Sequence, residues 1–210
     1  MISRLAMACG LVLSAGAHAS AQDPTTTLPD AYQVQLDNDY VRVVRVHYDA
    51  GVKLPEHTHP AGTTVYIYLN DSEGVVFRHS GRSNRAVTRP AVKAGGVRVA
   101  SGPEEHHTAE NPASTPSDFL RVWFKTDNGG ERNLRRRLSP ADPEFANKQM
   151  RITRLAGMDV AFEAPANTPA LAVSLPDGVV HWVPAGERFS PGSSHSRAEV
   201  LRIDFLTSPQ

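Results

Sequence analysis

The amino-acid sequence predicts an all-β protein: a small antiparallel β-barrel or jelly roll followed by a second, shortened β unit. Three observations lead there. Short runs rich in β-branched and aromatic residues recur along the chain, each bounded by Gly, Pro, Asn, Asp or Ser. No helical periodicity fills the spaces between them. Three segments near the C-terminus repeat, in the same order, three segments of the first half.

At the N-terminus, Arg4 supplies a short positive region and Leu5 to Ala17 is mostly apolar or small. Ala19-Ser20-Ala21 then offers a small-residue cleavage site before Gln22. That pattern predicts a signal peptide over residues 1–21 and a periplasmic or secreted protein. The apolar run is too short to span a bilayer, so no membrane association is expected after cleavage. Cys9, the single cysteine, lies in this segment, so the mature chain has neither disulfides nor thiolate ligands.

After a Thr/Pro-rich lead (Thr25 to Pro29), Tyr40-Val-Arg-Val-Val-Arg-Val-His-Tyr48 and Thr63-Thr-Val-Tyr-Ile-Tyr-Leu69 read as strands. Val75 to His79, Val97 to Ala100 and Phe119 to Lys125 follow. Together these make residues 30–127 the first β unit. Residues 128–148 read as a linker: Gly129-Gly130 as a hinge, Arg135-Arg-Arg137 as a solvated face, and Ser139-Pro140 as the N-cap and first residue of a short helix. Residues 149–210 then echo the first half. Met150 to Leu155 repeats Val41 to Val46, Ala170 to Asp177 repeats Thr64 to Asp71, and Val200 to Phe205 repeats Phe119 to Phe124.

Charge excludes one class of function. Lys+Arg and Asp+Glu are equal at 22 each and neither sign is concentrated in a long block, so no nucleic-acid surface is expected. The 210 residues suit one ordinary domain or two small packed β units.

The chemistry-bearing signal is histidine. Gly51-x5-His57-x-His59 follows directly on a strong strand, and side chains at i and i+2 of an extended segment share a face. Far along the chain, His107-x3-Asn111 precedes another strand. H-x-H alone is often a polar strand face, and His106-His107 alone could be a surface pair. Their combination with the leading glycine, flanking strands and Asn111 points to a metal site.

These arrangements resemble the two motifs of the cupin superfamily, G-x5-H-x-H-x(3,4)-E and P-x-G-x-x-H-x3-N. The resemblance covers residues 30–127 well and residues 149–208 as a degenerate copy. It implies that His57, His59 and His107 hold one divalent metal ion (Fe, Mn, Ni or Zn) inside the β unit and that Asn111 is a turn residue. It also implies a small-molecule ligand and, since such proteins often pair through an edge strand, a homodimer. Two departures stand out. The motif glutamate falls at 63 or 64, where this chain has Thr63 and Thr64. The stretch Gly102-Pro-Glu-Glu-His-His107 carries extra residues, leaving His106 as a rival ligand and Glu105 as a stand-in carboxylate.

With position 64 turned to the ion, Tyr66 and Tyr68 face the same interior, either as catalytic or substrate-binding hydroxyls or as core filling. Arg121 and Trp123 share a face that the sequence does not identify, and His47, His79 and His181 carry no ligand pattern. The second copy has no histidine near Pro165 to Thr168 and keeps a trace of the second motif in Pro191-Gly192-x-x-His195. The expected function is a metal-binding cupin-type protein, either a mononuclear oxygenase or isomerase or a non-catalytic binding protein of the periplasm.

Overall fold

The structure is a computed structural model that describes residues 23–81, 84–126, 131–157, 160–191 and 198–209. The segment expected to be a signal peptide, Cys9, Gly129-Gly130 and the Gly192 to His195 trace lie outside the described residues. A single helical turn, Pro24–Thr27, is capped by Asp23, whose carboxylate accepts from the Thr25 N–H at 2.9 Å. Among the described residues, everything regular after it is strand.

The first half supplies β1 (Tyr32–Asp37), β2 (Val41–Tyr48), β3 (Lys53–His59), β4 (Gly62–Tyr68), β5 (Ser72–His79), β6 (Ala86–Val92), β7 (Val97–Gly102), β8 (Glu105–Glu110) and β9 (Ser117–Phe124). The remainder gives β10 (Arg135–Leu138), β11 (Glu144–Ala146), β12 (Met150–Gly157), β13 (Phe162–Glu163), β14 (Ala170–Leu175), β15 (Val179–Val183), β16 (Arg188–Phe189) and β17 (Ala198–Phe205). All strand pairings among the described residues are antiparallel. A six-stranded sheet runs β1-β2-β9-β4-β7-β10 and faces a four-stranded sheet β3-β8-β5-β6; a five-stranded sheet β11-β12-β17-β14-β15 and the pair β13-β16 complete the chain. Among the described residues the facing sheets do not close into one hydrogen-bonded cylinder. The fold is a jelly-roll-like sandwich.

The layering explains the long apolar runs. Strand side chains alternate, so a strand solvated on one face shows every second residue apolar. In the six-stranded sheet, Val44, Val46, Tyr48, Tyr66, Tyr68, Ala100 and Phe119 pack toward the four-stranded sheet, meeting Val75, Phe77 and Ala109. The alternate residues, including Val43, Val65, Ile67, Val99, Leu120 and Val122, pack against Met150, Ile152, Leu171, Val173, Leu201 and Ile203 of the five-stranded sheet. Each such side chain contributes about 1.5–3 kcal/mol on burial. The central sheet is therefore covered on both faces.

The repeated segments occupy matching places: β2-β9-β4 in one sheet and β12-β17-β14 in the other, in the same order. Their junction is close. Phe124 and Phe205 have ring centroids 4.9 Å apart, and the Gln149 side chain donates to the Thr126 carbonyl at 2.6 Å. Gly178, at φ +72°, lies so near Leu69 that a Cβ there would stand 2.5 Å from its side chain, so only glycine fits the turn.

Two local expectations are corrected. The arginine triplet is not a free linker face but an exposed edge strand, β10, with Arg135 to Leu138 opposite Ala100 to Val97. No helix starts at Ser139. Its hydroxyl does accept the Ala141 N–H at 3.3 Å, but residues 139–142 form a single turn, closed by the Asp142 N–H on the Ser139 carbonyl at 3.1 Å. Pro143 follows at once, removes a donor and pushes Asp142 away from the helical region, so the cap has no helix to begin.

Candidate metal centre

Strands β3 and β8 run side by side, with His57 opposite His107 and His59 opposite Glu105. The register shifts between Leu54 and His57, where β3 carries one extra residue across Pro55-Glu56. This bulge sets His57 against His107; bulges commonly re-aim side chains beside functional sites. His57, His59 and His107 are 0%, 7% and 1% exposed, and their candidate ligand nitrogens all lie within 4.8 Å of one another. The three rings meet pairwise at centroid distances of 4.8–5.1 Å. The three histidines picked out in the sequence thus converge.

Their hydrogen bonding fixes which nitrogens are free to bind. His57 Nδ1 is 2.8 Å from the Pro55 carbonyl, which can only accept, so Nδ1 carries the proton and Nε2 keeps its lone pair. The Tyr32 hydroxyl donates to that Nε2 at 2.8 Å and accepts from Tyr48 at 2.6 Å. Both ring nitrogens of His107 are buried with no partner. An orphaned buried nitrogen costs about 1–3 kcal/mol, and a divalent ion is the species that a cluster of neutral imidazoles satisfies. The donor set therefore fits a first-row divalent metal.

Electrostatics keep these ligands neutral. Burial lowers all three histidine pKa values. Arg121 adds to the effect at His59, which falls well below its ordinary value, and the neighbouring His57 and then Arg89 add to it at His107, which falls to about 2. Burial raises Tyr48 to about 12 and holds Tyr32 well above the usual phenol range. Because the folded histidines hold protons less readily than the unfolded chain, their contribution to stability is complete above about pH 6.5 and lost as pH falls. For His107 the loss is about 1.4 kcal/mol per pH unit below that point. Urea melts of metal-free protein should show midpoints falling between pH 6.5 and 5, and an unchanged midpoint would contradict neutral imidazoles in the folded state.

The open questions of register resolve clearly. His106 turns away: its ring lies 3.0 Å from the Thr58 hydroxyl and 2.8 Å from the Glu104 carboxylate. Glu105 shares the side of His107, but its carboxylate stands 4.0 Å from His107 Nδ1 and is not part of the three-nitrogen cluster. Thr64, at the position of the motif glutamate, lines a narrow cleft with Tyr66, Arg98, Arg121 and Glu105. Asn111 is the turn residue that the resemblance implied. Its buried amide donates to the carbonyls of Tyr48 (3.2 Å), Asp49 (3.0 Å) and Thr115 (2.9 Å), and its oxygen accepts from the Ala113 N–H at 3.3 Å.

Tyr66 and Tyr68 do face this interior, 6.2 and 5.6 Å from the Phe119 ring. Burial would raise the Tyr66 phenol, but Arg89 and Arg121 overcome it and hold the group below its ordinary value. The tyrosine that touches an imidazole is Tyr32, on a strand the sequence reading passed over. His79, read as an ordinary strand histidine, packs edge-on to His107 at 5.2 Å. A cleft of about 230 Å³ is lined by Tyr68, Arg89, Val97, Arg98 and Leu138 among others and by none of the three histidines. The cleft that includes His59, Tyr32 and Arg121 is only about 30 Å³.

No protein-family profile matches the sequence, and comparison with curated proteins finds no match. Solved structures do resemble the fold. AerE from Microcystis aeruginosa aligns at TM-score 0.60 and 15% identity over 83% of this chain and 91% of that one. The bacterial pirin YhhW from Escherichia coli, in complex with nickel(II), aligns at 0.50 and 14% over 84% and 91%. Quercetin 2,3-dioxygenase from Acinetobacter baumannii aligns at 0.51 and 12% over 81% and 75%. Two facing antiparallel sheets and the motif histidines on adjacent strands agree with these likenesses: the chain shares the jelly-roll-like fold of these proteins, the architecture that its resemblance to cupins implied.

Proposed function

We propose that this protein binds one divalent first-row metal (Fe, Mn, Ni or Zn) through His57, His59 and His107 and acts on a small molecule as a mononuclear oxygenase or isomerase. The observation that carries the reading is the orphaned, buried His107 ring beside two imidazoles whose pKa values burial depresses. The nickel complex and the dioxygenase among proteins of similar fold support it. When bound, such an ion supplies Lewis acidity to a coordinated oxygen.

The chain's own residues do the rest. His57 is oriented by the Pro55 carbonyl, Tyr32 presents a hydroxyl held by Tyr48, and buried Phe77 packs edge-on to the His107 ring and excludes water from it. Tyr66 and Tyr68 stand on the same face of β4 as substrate-binding candidates. Oxygen uptake by metal-loaded protein with small phenols and thiols tests the catalytic part. Consumption that disappears in His57→Ala supports it.

Metal uptake without turnover of any such compound favours a second reading, a non-catalytic small-molecule or metal-binding protein. Thr64 in place of the motif carboxylate supports that reading. We further propose that residues 1–21 direct the protein to the periplasm or outside the cell, with no membrane or nucleic-acid partner afterwards and with a homodimer as its assembly. N-terminal sequencing of exported protein should begin at Gln22, and light scattering should give twice the mass of one chain.

A further inference from the structure

Three guanidinium groups enter the interior of the first half without an acidic partner. Arg121 on β9 is 8% exposed, and its Nε is buried with no hydrogen bond. Arg98 on β7 buries Nη1 in the same condition. Arg89 on β6 lays its guanidinium 4.0 Å from the Phe77 ring centroid and 4.7 Å from that of Tyr66, and Arg98 lies 5.2 Å from the same Tyr66 ring. Elsewhere the chain pairs its half-buried arginines: Arg42 with Asp23, Arg45 with Asp118 and Arg202 with Asp204. Among the described residues, none of the three interior arginines forms an ion pair.

Arginine cannot shed its proton, so a buried, unpaired guanidinium stays charged and costs several kcal/mol in desolvation. Aromatic faces offset part of that cost for Arg89 and Arg98. Arg121 has no such ring contact. It lines the cleft that holds His59 and Tyr32 and also the cleft that holds Thr64, Tyr66 and Arg98. Two carboxylates line the same clefts. Asp23 is engaged by Arg42 at 2.6 Å, and Glu105 lies 4.0 Å from His107 Nδ1. Neither forms an ion pair with Arg121.

We propose that the small molecule taken at the histidine site is an organic carboxylate, with Arg121 as the residue that binds its carboxylate group and Arg98 as the second cation beside it. The planar guanidinium fork matches a carboxylate's two oxygens, and in a desolvated site the pair discriminates strongly against an uncharged isostere. The clefts flanking Arg121, about 30 and 20 Å³, suit a small planar head group rather than a bulky one. The identity of the ligand as substrate rests on the metal-site reading above. The charge preference does not, because it comes from the arginines alone.

The experiment therefore uses metal-free protein, with glycolate as probe, glycolamide as its neutral counterpart and sodium chloride as the salt control. At about 20 mM, glycolate should raise the wild-type melting midpoint by several degrees and glycolamide should not. Arg121→Gln should lose that shift and bind glycolate at least about tenfold more weakly by calorimetry, while Arg121→Lys recovers part of it. Without ligand, Arg121→Gln should melt no lower than wild type, since a buried unpaired charge has been removed; an arginine with a purely structural role would give the opposite sign. Equal shifts with glycolate and glycolamide overturn the proposal. So does a full glycolate shift in Arg121→Gln, or a variant that is destabilised or fails to fold. Nickel(II) stoichiometry, measured separately on the wild type, tests the metal reading by itself; no uptake there would remove that reading and leave the anion result standing.

Discussion

Replacing His107 is expected to weaken nickel(II) binding by at least about 100-fold, more than any other single change in the protein. Substitution of residues that merely support metal ligands costs 10–100-fold in characterised sites, and loss of a ligand should cost no less. His107 is also the ring around which the others gather: His57, His59, His79 and Phe77 all lie within 5.2 Å of it. It is the only one of the three supplied by β8, so without it the remaining pair comes from one strand and cannot enclose an ion. His107→Phe is the more informative variant. It fills a similar volume beside Phe77 and removes two orphaned nitrogens, so metal-free protein should fold with stability near or above that of wild type while metal binding disappears. Calorimetric titration with nickel(II) together with a thermal melt checks both halves. A variant that binds nickel(II) as tightly as wild type contradicts the assignment.

The second large effect concerns stability alone. Asn111→Ala should destabilise the fold by about 2–4 kcal/mol, because a 1%-exposed amide bonds three backbone carbonyls, the Tyr48 carbonyl among them in a fully buried contact, and the alanine leaves them unpaired. Those carbonyls belong to the end of β2, the turn after it and the turn before β9, so the amide ties the element leading into the H-x-H strand to the one leading out of β8. Asn111→Asp keeps the shape but offers acceptors to acceptors, and should be as damaging. Chemical denaturation measures both, and a loss below about 0.5 kcal/mol, the range of ordinary surface substitutions, would show that the turn holds without the side chain.

The legible parts of this molecule were those governed by short-range pattern. The i, i+2 spacing of His57 and His59 and the alternation of Thr64, Tyr66 and Tyr68 on β4 follow from strand geometry, and the structure agrees with both. The extra residues before His107 left two imidazoles in contention, and the choice needed the pairing of β3 with β8. Tyr32 was missed although Tyr-Gln-Val-Gln-Leu-Asp alternates as a strand should. Its role depends on a partner 25 residues away, His57, which periodicity does not encode.

The interior arginines were invisible for a different reason. An arginine at every second position of a strand ordinarily marks a solvated face. Here the five-stranded sheet covers the other face of the central sheet, so the face bearing Arg98 and Arg121 is also enclosed. Strand β6, with Pro90 in its middle, sits at a sheet edge, the place where a strand tolerates proline. At Ser139 the local signal was a genuine cap, overruled by Pro143.

The central claim is that three imidazoles from two paired strands close on one ion. Crystals of nickel(II)-loaded protein, examined by anomalous diffraction at the nickel edge, test it directly. A single strong peak per chain is expected within bonding distance of His57 Nε2 and of one ring nitrogen each of His59 and His107, with the Tyr32 hydroxyl displaced from His57. A peak at His106 and Glu104 instead, or none in fully loaded crystals, would contradict it.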